Sequence, residues 1–420
     1  MLSLLTVAWA QQVHSAAALP QPHCASPRPP VARIPARPDG PAPAVLEDRD
    51  AYGASQVHLT DHFALRWGDD LDADTASIEA LGADFERAWN AQVETLGWRQ
   101  PPGSDAWRVN VYVADTGPGL PSIPFSGGFV DIDGEGFPYV AVSPDLVTDH
   151  GTPEGADNAA WVAAHEFNHT LQVHDDGFTA GRYGAWFHEA SANWAVPFTL
   201  DRDGEPDWGV YLLNPQVALD MAAWDGPPEE EGRQYDAAAF LYAVSDARGP
   251  GVMRDAWMDA HRDDDALVVL DALTDGGLRD LFVAFARTHA LGDHRLAELY
   301  EEGIRYWGQG EPDHRITAVV EPTRGLEDPP TDLLPDAWAW NHLQLDVTEG
   351  GVLVADLDAE PEGSLGSPSN LVPKLVVERA GGVLEDHGLG EDVAVEPGDR
   401  VHLLVISVPE TARAGERFGY

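Results

Sequence analysis

The 420-residue sequence predicts an α+β chain, with a mixed sheet and helices over residues 56–320 and a small all-β sandwich over 337–420. Three observations predict it. Strand and helix patterns alternate from residue 56 to 174, and helix-period segments then continue to about 306. Beyond a Pro- and acid-rich stretch, the apolar period changes from helical to alternating.

In chain order, residues 57–59 and 62–67 read as strands. Residues 75–97 read as one amphipathic helix, with Ile78, Leu81, Phe85, Trp89 and Val93 three or four apart, broken by Pro101-Pro102-Gly103. Residues 107–113 alternate like a strand with one face buried. Gly127-Gly128 opens a strand pair, 129–132 and 138–142, joined across Asp133-Gly134-Glu135-Gly136. A helix follows over about 158–174. Further helices are expected near 185–194, 235–247, 252–261, 278–289 and 293–306, with Arg262-Asp263-Asp264-Asp265 as a loop. Residues 321–336 form a Pro- and acid-rich linker. Period-two segments at 343–347, 351–355, 375–377 and 401–405 then make the sandwich.

The N-terminus carries an apolar run, Leu2 to Ala10, and two small-x-small sites, Ala8-Trp9-Ala10 and Ala16-Ala17-Ala18. Residues 1–18 thus resemble a secretory signal peptide, although no Lys or Arg precedes Arg28. The expected location is extracellular or periplasmic. Residues 19–55, rich in Pro, Ala and Arg, read as a stiff linker or pro-segment, with Cys24 as a free thiol.

Composition narrows the function classes. With 25 Lys and Arg against 71 Asp and Glu, the net charge is −46, a field that repels phosphate backbones and anionic lipid surfaces. No apolar run approaches the ~20 residues that span a bilayer. Nucleic-acid binding and membrane insertion are therefore not expected. The single cysteine excludes a disulfide framework and any metal site built from several Cys. Lys374 is the only lysine; both adaptation to salt and Arg-favouring codon usage give this pattern.

The segment Ala164-His165-Glu166-Phe167-Asn168-His169 carries the chemistry. Histidines at i and i+4 lie one helical turn apart, so both imidazoles can reach one ion, and Glu166 beside the first can take a proton from water. Chance placement would yield roughly 0.05 such patterns in this composition. Glu189 follows twenty residues beyond His169, in Trp186-Phe187-His188-Glu189-Ala190-Ser191-Ala192-Asn193-Trp194. Asn193, four residues on, can hydrogen-bond a ligand imidazole. Asp131-Ile132-Asp133-Gly134-Glu135 and residues 201–207 offer oxygens at calcium-loop spacing. Neither matches an EF-hand, and both read as solvated turns, with Ca2+ as the alternative.

These residues resemble the gluzincin metallopeptidases, and more narrowly a group of secreted bacterial metalloproteases of myxobacterial type. The likeness rests on HEFxHxxQ from His165 to Gln172 and WFxEAxAxW from Trp186 to Trp194. It also takes in the turn Leu96 to Pro102 and an aromatic helix with Tyr235, Phe240 and Tyr242 before Gly249-Pro250. It covers roughly residues 56–310 and is motif-specific only in the HExxH region. It implies a zincin-like domain with one Zn2+ per chain on His165, His169 and Glu189, Glu166 as general base, and a protein or peptide substrate. A metzincin-like third ligand would be Asp175, but that pattern needs Gly where Gln172 stands. His174 and His188 are expected off the ligand face. Gluzincins often bring a Tyr or His from a downstream helix to the oxyanion, which makes Tyr235 the candidate here; packing as a core aromatic is the equal alternative. The zincin fold also adds an extended peptide to an edge strand, here the strand near 138–142, with an ordinary paired strand as the equal alternative. The alternative of another class is a non-catalytic interaction protein that binds a surface partner through the cleft and the β domain.

Overall fold

A computed structural model describes residues 3–4, 46, 48–72, 74–173, 177–178, 185–222, 232–308, 316–319, 333–411 and 415–420. The chain is α+β, as expected, and divides into two compact units. One comprises residues 18–204 and 244–275, the other 1–17, 205–243 and 276–420. These units do not follow the linear division at residues 320 and 337. Among the described residues, no helix is long and apolar enough to cross a membrane.

The first unit is built on a five-stranded sheet. Strand β1 (Gln56–Leu59) pairs antiparallel with β2 (Phe63–Trp67), which runs parallel to β3 (Val109–Val113). At the other side β4 (Gly128–Ile132) forms the edge, antiparallel to β5 (Pro138–Val142), which itself lies parallel to β3. The edge expected near 138–142 is therefore corrected to β4. All five residues of β5 are buried, as suits a strand paired on both sides.

Helix α1 (Thr75–Trp89) starts where Asp74 accepts a hydrogen bond from the Ser77 amide at 2.8 Å. It buries Ile78, Leu81, Phe85 and Trp89, the predicted stripe. The helix does not run on uniformly to residue 97. Asn90–Thr95 is a π-helical turn, closed by Leu96 N–H donating to Ala91 O five residues back. After a short α2 (Asp145–Thr148), α3 (Pro153–Gln172) begins five residues earlier than expected. Thr152 accepts from Gly155 N at 3.0 Å and Pro153 occupies the first turn, where its missing N–H costs nothing. Phe63, Phe85, Trp89 and Phe167 meet ring against ring, with centroids 5.3–6.1 Å apart, and set α3 against α1 and β2. Helix α4 (Ala185–Leu200) pairs with α3 and contains Pro197.

The same unit includes helices Gly251–Asp259 and Ala266–Leu273. The second was not expected; Asp265, read as loop, caps it by accepting from Leu267 N. Order also begins before residue 56. Asp50 accepts from the amides of Tyr52, Gly53 and Ala54, and Tyr52 packs edge-on against Tyr112 and Tyr139.

The second unit contains the expected two-sheet β structure. One sheet has β6 (Ala339–Asp346), β8 (Leu371–Glu378), β9 (Leu384–His387) and β11 (Arg400–Ser407), with the two-residue strand Ala318–Val319 beside β6. The other joins β7 (Gly351–Val354) to β10 (Val393–Val395), with Ser3–Leu4 added parallel to β7. Leu343, Leu353, Leu375, Val377, Val393 and Leu403 share their core. The sandwich does not stand alone. Trp340 on β6 meets Tyr211, Phe282 and Phe285, so helical residues of 205–243 and 276–308 share its packing. The cleavage sites of the N-terminus, Cys24 and most of the 321–336 linker lie outside the described residues.

Candidate metal centre

The ligand group forms because two helices present opposite faces to each other. His165 and His169 stand one turn apart on α3, and Glu189 projects from α4. All three are buried. His165 Nε2 and His169 Nε2 lie 2.9 Å apart, and each is 3.3 Å from Glu189 Oε2. Among the described residues this is the only group of three such side chains close enough to share a metal ion.

Protonation follows from the hydrogen bonds behind the rings. His165 Nδ1 donates to Asn193 Oδ1 at 2.6 Å, the contact expected from the Glu189–Asn193 spacing. His169 Nδ1 donates to Gln172 Oε1 at 2.8 Å. The Gln172 amide is not free to turn, because its Nε2 faces three oxygens: Asn168 Oδ1, His188 O and Ser191 Oγ. With both protons on Nδ1, both Nε2 atoms carry bare lone pairs. Two such nitrogens and a carboxylate oxygen converge here. Both oxygens of Glu189 are buried and lack a hydrogen bond, their polar contacts being ring nitrogens at 3.3 Å and 3.6 Å. A group of donors gathered this closely in a buried space could hold a metal ion.

Burial draws the His169 imidazole down, but the Glu189 carboxylate outweighs it and holds the ring above its ordinary value. Burial opposes ionisation of Glu189, yet the charge of His169 and the closeness of both rings hold it well below the usual carboxylate range. His188 stacks on His169 with centroids 4.2 Å apart; burial, then the charge of His169, pushes it down to about 4. Trp161 stacks on His165, with centroids 5.2 Å apart.

Glu166 is buried beside His165 and lies outside the three-ligand cluster. Its approach depends on the edge strand: a Cβ at Gly128 on β4 would stand 2.7 Å from Glu166 Cγ and 3.1 Å from Cδ. Two residues with no motif thus shape the site, Gly128 under Glu166 and Gln92 behind Asn168. Tyr235 lies in the second unit, partly buried on the four-residue helix Arg233–Asp236. His174 and Asp175 fall outside the described residues. The acidic turn 131–135 is built as a structural loop. Arg49 bonds both Asp133 and Glu135, and Asp133 also accepts from the amides of Glu135 and Phe137.

The chain belongs to the family of unknown function DUF6055, whose profile matches residues 46–369. That match spans β1 to β7, with α3, α4 and the whole ligand group inside it, and starts next to the ordered segment at 48–55. No curated protein matches the sequence.

Proposed function

We propose that this chain is a secreted zinc metallopeptidase of gluzincin type with a zincin-like catalytic unit. The observation that carries the reading is the convergence of two bare imidazole nitrogens and one carboxylate oxygen, with a second buried carboxylate, Glu166, alongside. Tetrahedral zinc with bonds of about 2.0–2.1 Å spaces its ligand atoms by roughly 3.3 Å. Glu189 Oε2 already keeps that separation from both nitrogens. Export is supported by the apolar run Leu2 to Ala10 and its small-residue sites.

Bound by His165, His169 and Glu189, zinc supplies the Lewis acidity that polarises a carbonyl and makes water acidic near pH 7. The rest is work for the chain's own side chains. Glu166 accepts the proton of the attacking water and delivers it to the leaving amine. Asn193 and Gln172 keep each imidazole in the tautomer that presents a lone pair.

Treatment with a strong chelator is expected to abolish casein hydrolysis, and one equivalent of zinc to restore it. A protein that takes up zinc stoichiometrically and still cleaves nothing would favour the interaction-protein reading. Gly128→Ala is expected to lower kcat by about 100-fold with zinc content unchanged, because the added methyl displaces the Glu166 carboxylate. Equal turnover would show that Glu166 has room to adjust. Tyr235→Phe tests the sequence expectation of an oxyanion donor: lower kcat with metal content spared keeps that role, and unchanged turnover removes it.

A further inference from the structure

The second unit holds none of the ligand group, but it has a cavity of its own. This cavity lies between the helix Leu278–Leu291 and strands β8 and β9, and its volume is about 730 Å³. Cavities of roughly 300–1,000 Å³ are those that hold small molecules, on walls that are mostly apolar with a few polar groups. Strand pairing explains the opening. β9 pairs with Leu375–Glu378 only, so residues 371–374 of β8 have β11 on one side and, among the described residues, no strand on the other. Leu375 and Val377 sit in the sandwich core, which turns Lys374 to the opposite face of the strand. There it joins the cavity wall with Val283 and Arg287 of the helix.

The charges of that wall are unevenly matched. Arg287 is already neutralised: its Nε and Nη2 hold the two oxygens of Asp386 at 3.1 Å and 3.0 Å, and its Nη1 holds Asp293 at 2.8 Å. Asp280, the other carboxylate of the wall, is exposed to water. Lys374 is the only lysine of the chain, and among the described residues its ammonium has neither an ion pair nor a hydrogen bond. Acids are not scarce, since the chain has 71. The cavity thus offers one unclaimed positive charge, next to apolar surface from Val283, Ala284 and Leu389.

We propose that this cavity binds a small carboxylic acid with an apolar body, its carboxylate on the Lys374 ammonium and its body against Val283 and Leu389. A single free cation selects a single negative charge, because a second would meet Asp280 and Asp386. A cationic ligand would meet Lys374, with Asp386 already taken by Arg287. The net charge of −46 repels anions at a distance, but salt at physiological strength screens that field within about 8 Å, so contact inside the cavity decides. No residue of the ligand group takes part, and the site is independent of the peptidase reading.

Two measurements on the full chain test this site, with octanoate as the probe. Reductive methylation with 13C-formaldehyde keeps the charge of an amine and, in a chain with one lysine, labels one side chain. Octanoate is expected to move that signal saturably. Ligand-observed NMR titrations then rank the probes. Octanol should bind about 5–10-fold more weakly than octanoate for want of the charge. Acetate should bind more than about 100-fold more weakly for want of the apolar body. Lys374→Gln should lower octanoate to the level of octanol and leave octanol unchanged, whereas Lys374→Arg keeps the charge and should stay within about threefold of wild type. If Lys374→Gln does not fold, Ala284→Glu, at an exposed helix position, adds a carboxylate to the wall and should weaken octanoate about fivefold while sparing octanol. Equal octanoate affinity in wild type and these variants would overturn the proposal, as would a Lys374 signal that octanoate does not move. Octanol binding as tightly as octanoate would overturn it too, since the charge would then play no part.

Discussion

Glu166→Gln is expected to lower peptide hydrolysis by about 1,000-fold while zinc content and thermal stability stay at wild-type values. The amide has the same shape as the carboxylate, so contact with Gly128 is preserved. What is lost is the capacity to accept a proton, a function typically worth about 100- to 10,000-fold. Zinc should stay because Glu166 is not one of the three converging ligands. Steady-state kinetics on a peptide, run beside elemental analysis, checks both halves. Loss of metal together with activity would make Glu166 a ligand, and retained activity would remove it as the base.

Glu189→Ala should instead fail at the metal. The change removes one of three donor atoms and the only negative charge among them, so zinc affinity is expected to fall by well over the 10- to 100-fold typical of an outer-shell loss. The effect extends to stability. A ligand present at 100 times its Kd stabilises the folded state by about 2.7 kcal/mol, so wild-type protein should melt higher with zinc than without, and Glu189→Ala should show no such rise. Asp175→Ala serves as the comparison and is expected to keep both zinc and the rise. The opposite pattern would transfer the third ligand to Asp175.

The parts of the site legible in the sequence are those governed by a local period. A helix places His165 over His169 and Glu189 over Asn193 whatever surrounds it, so those four positions follow from spacing. Gln92 could not be found that way. Its partners, Ala164, Asn168 and Thr199, are more than 70 residues away, and a polar residue on the π-helical turn after α1 bears no mark of them. Gly128 reads as a turn glycine, although it stands in β4 with Glu166 against it. Of the two readings of residues 138–142, the paired strand holds, and the sequence carries its signal. Pro138-Tyr139-Val140-Ala141-Val142 is apolar throughout, as a doubly paired strand requires, whereas Gly128 to Ile132 includes Asp131. The fold class was legible from the change of period, but the grouping of residues 205–243 with the C-terminal strands was not. That grouping rests on contacts such as Tyr211 with Trp340, far apart in the chain.

The unit that holds the ligand group is assembled from two stretches, 18–204 and 244–275, and the second supplies partners to α4. Ser245 Oγ receives Trp194 Nε1, and Trp257 Nε1 donates to Ser191 Oγ beside Gln172. A ribosome adding about 5–20 residues per second therefore makes His165, His169 and Glu189 several seconds before it makes the groups that brace them. A nascent chain stopped at residue 243 has every ligand and an unfinished wall. Order of synthesis thus separates having the ligands from being able to hold an ion.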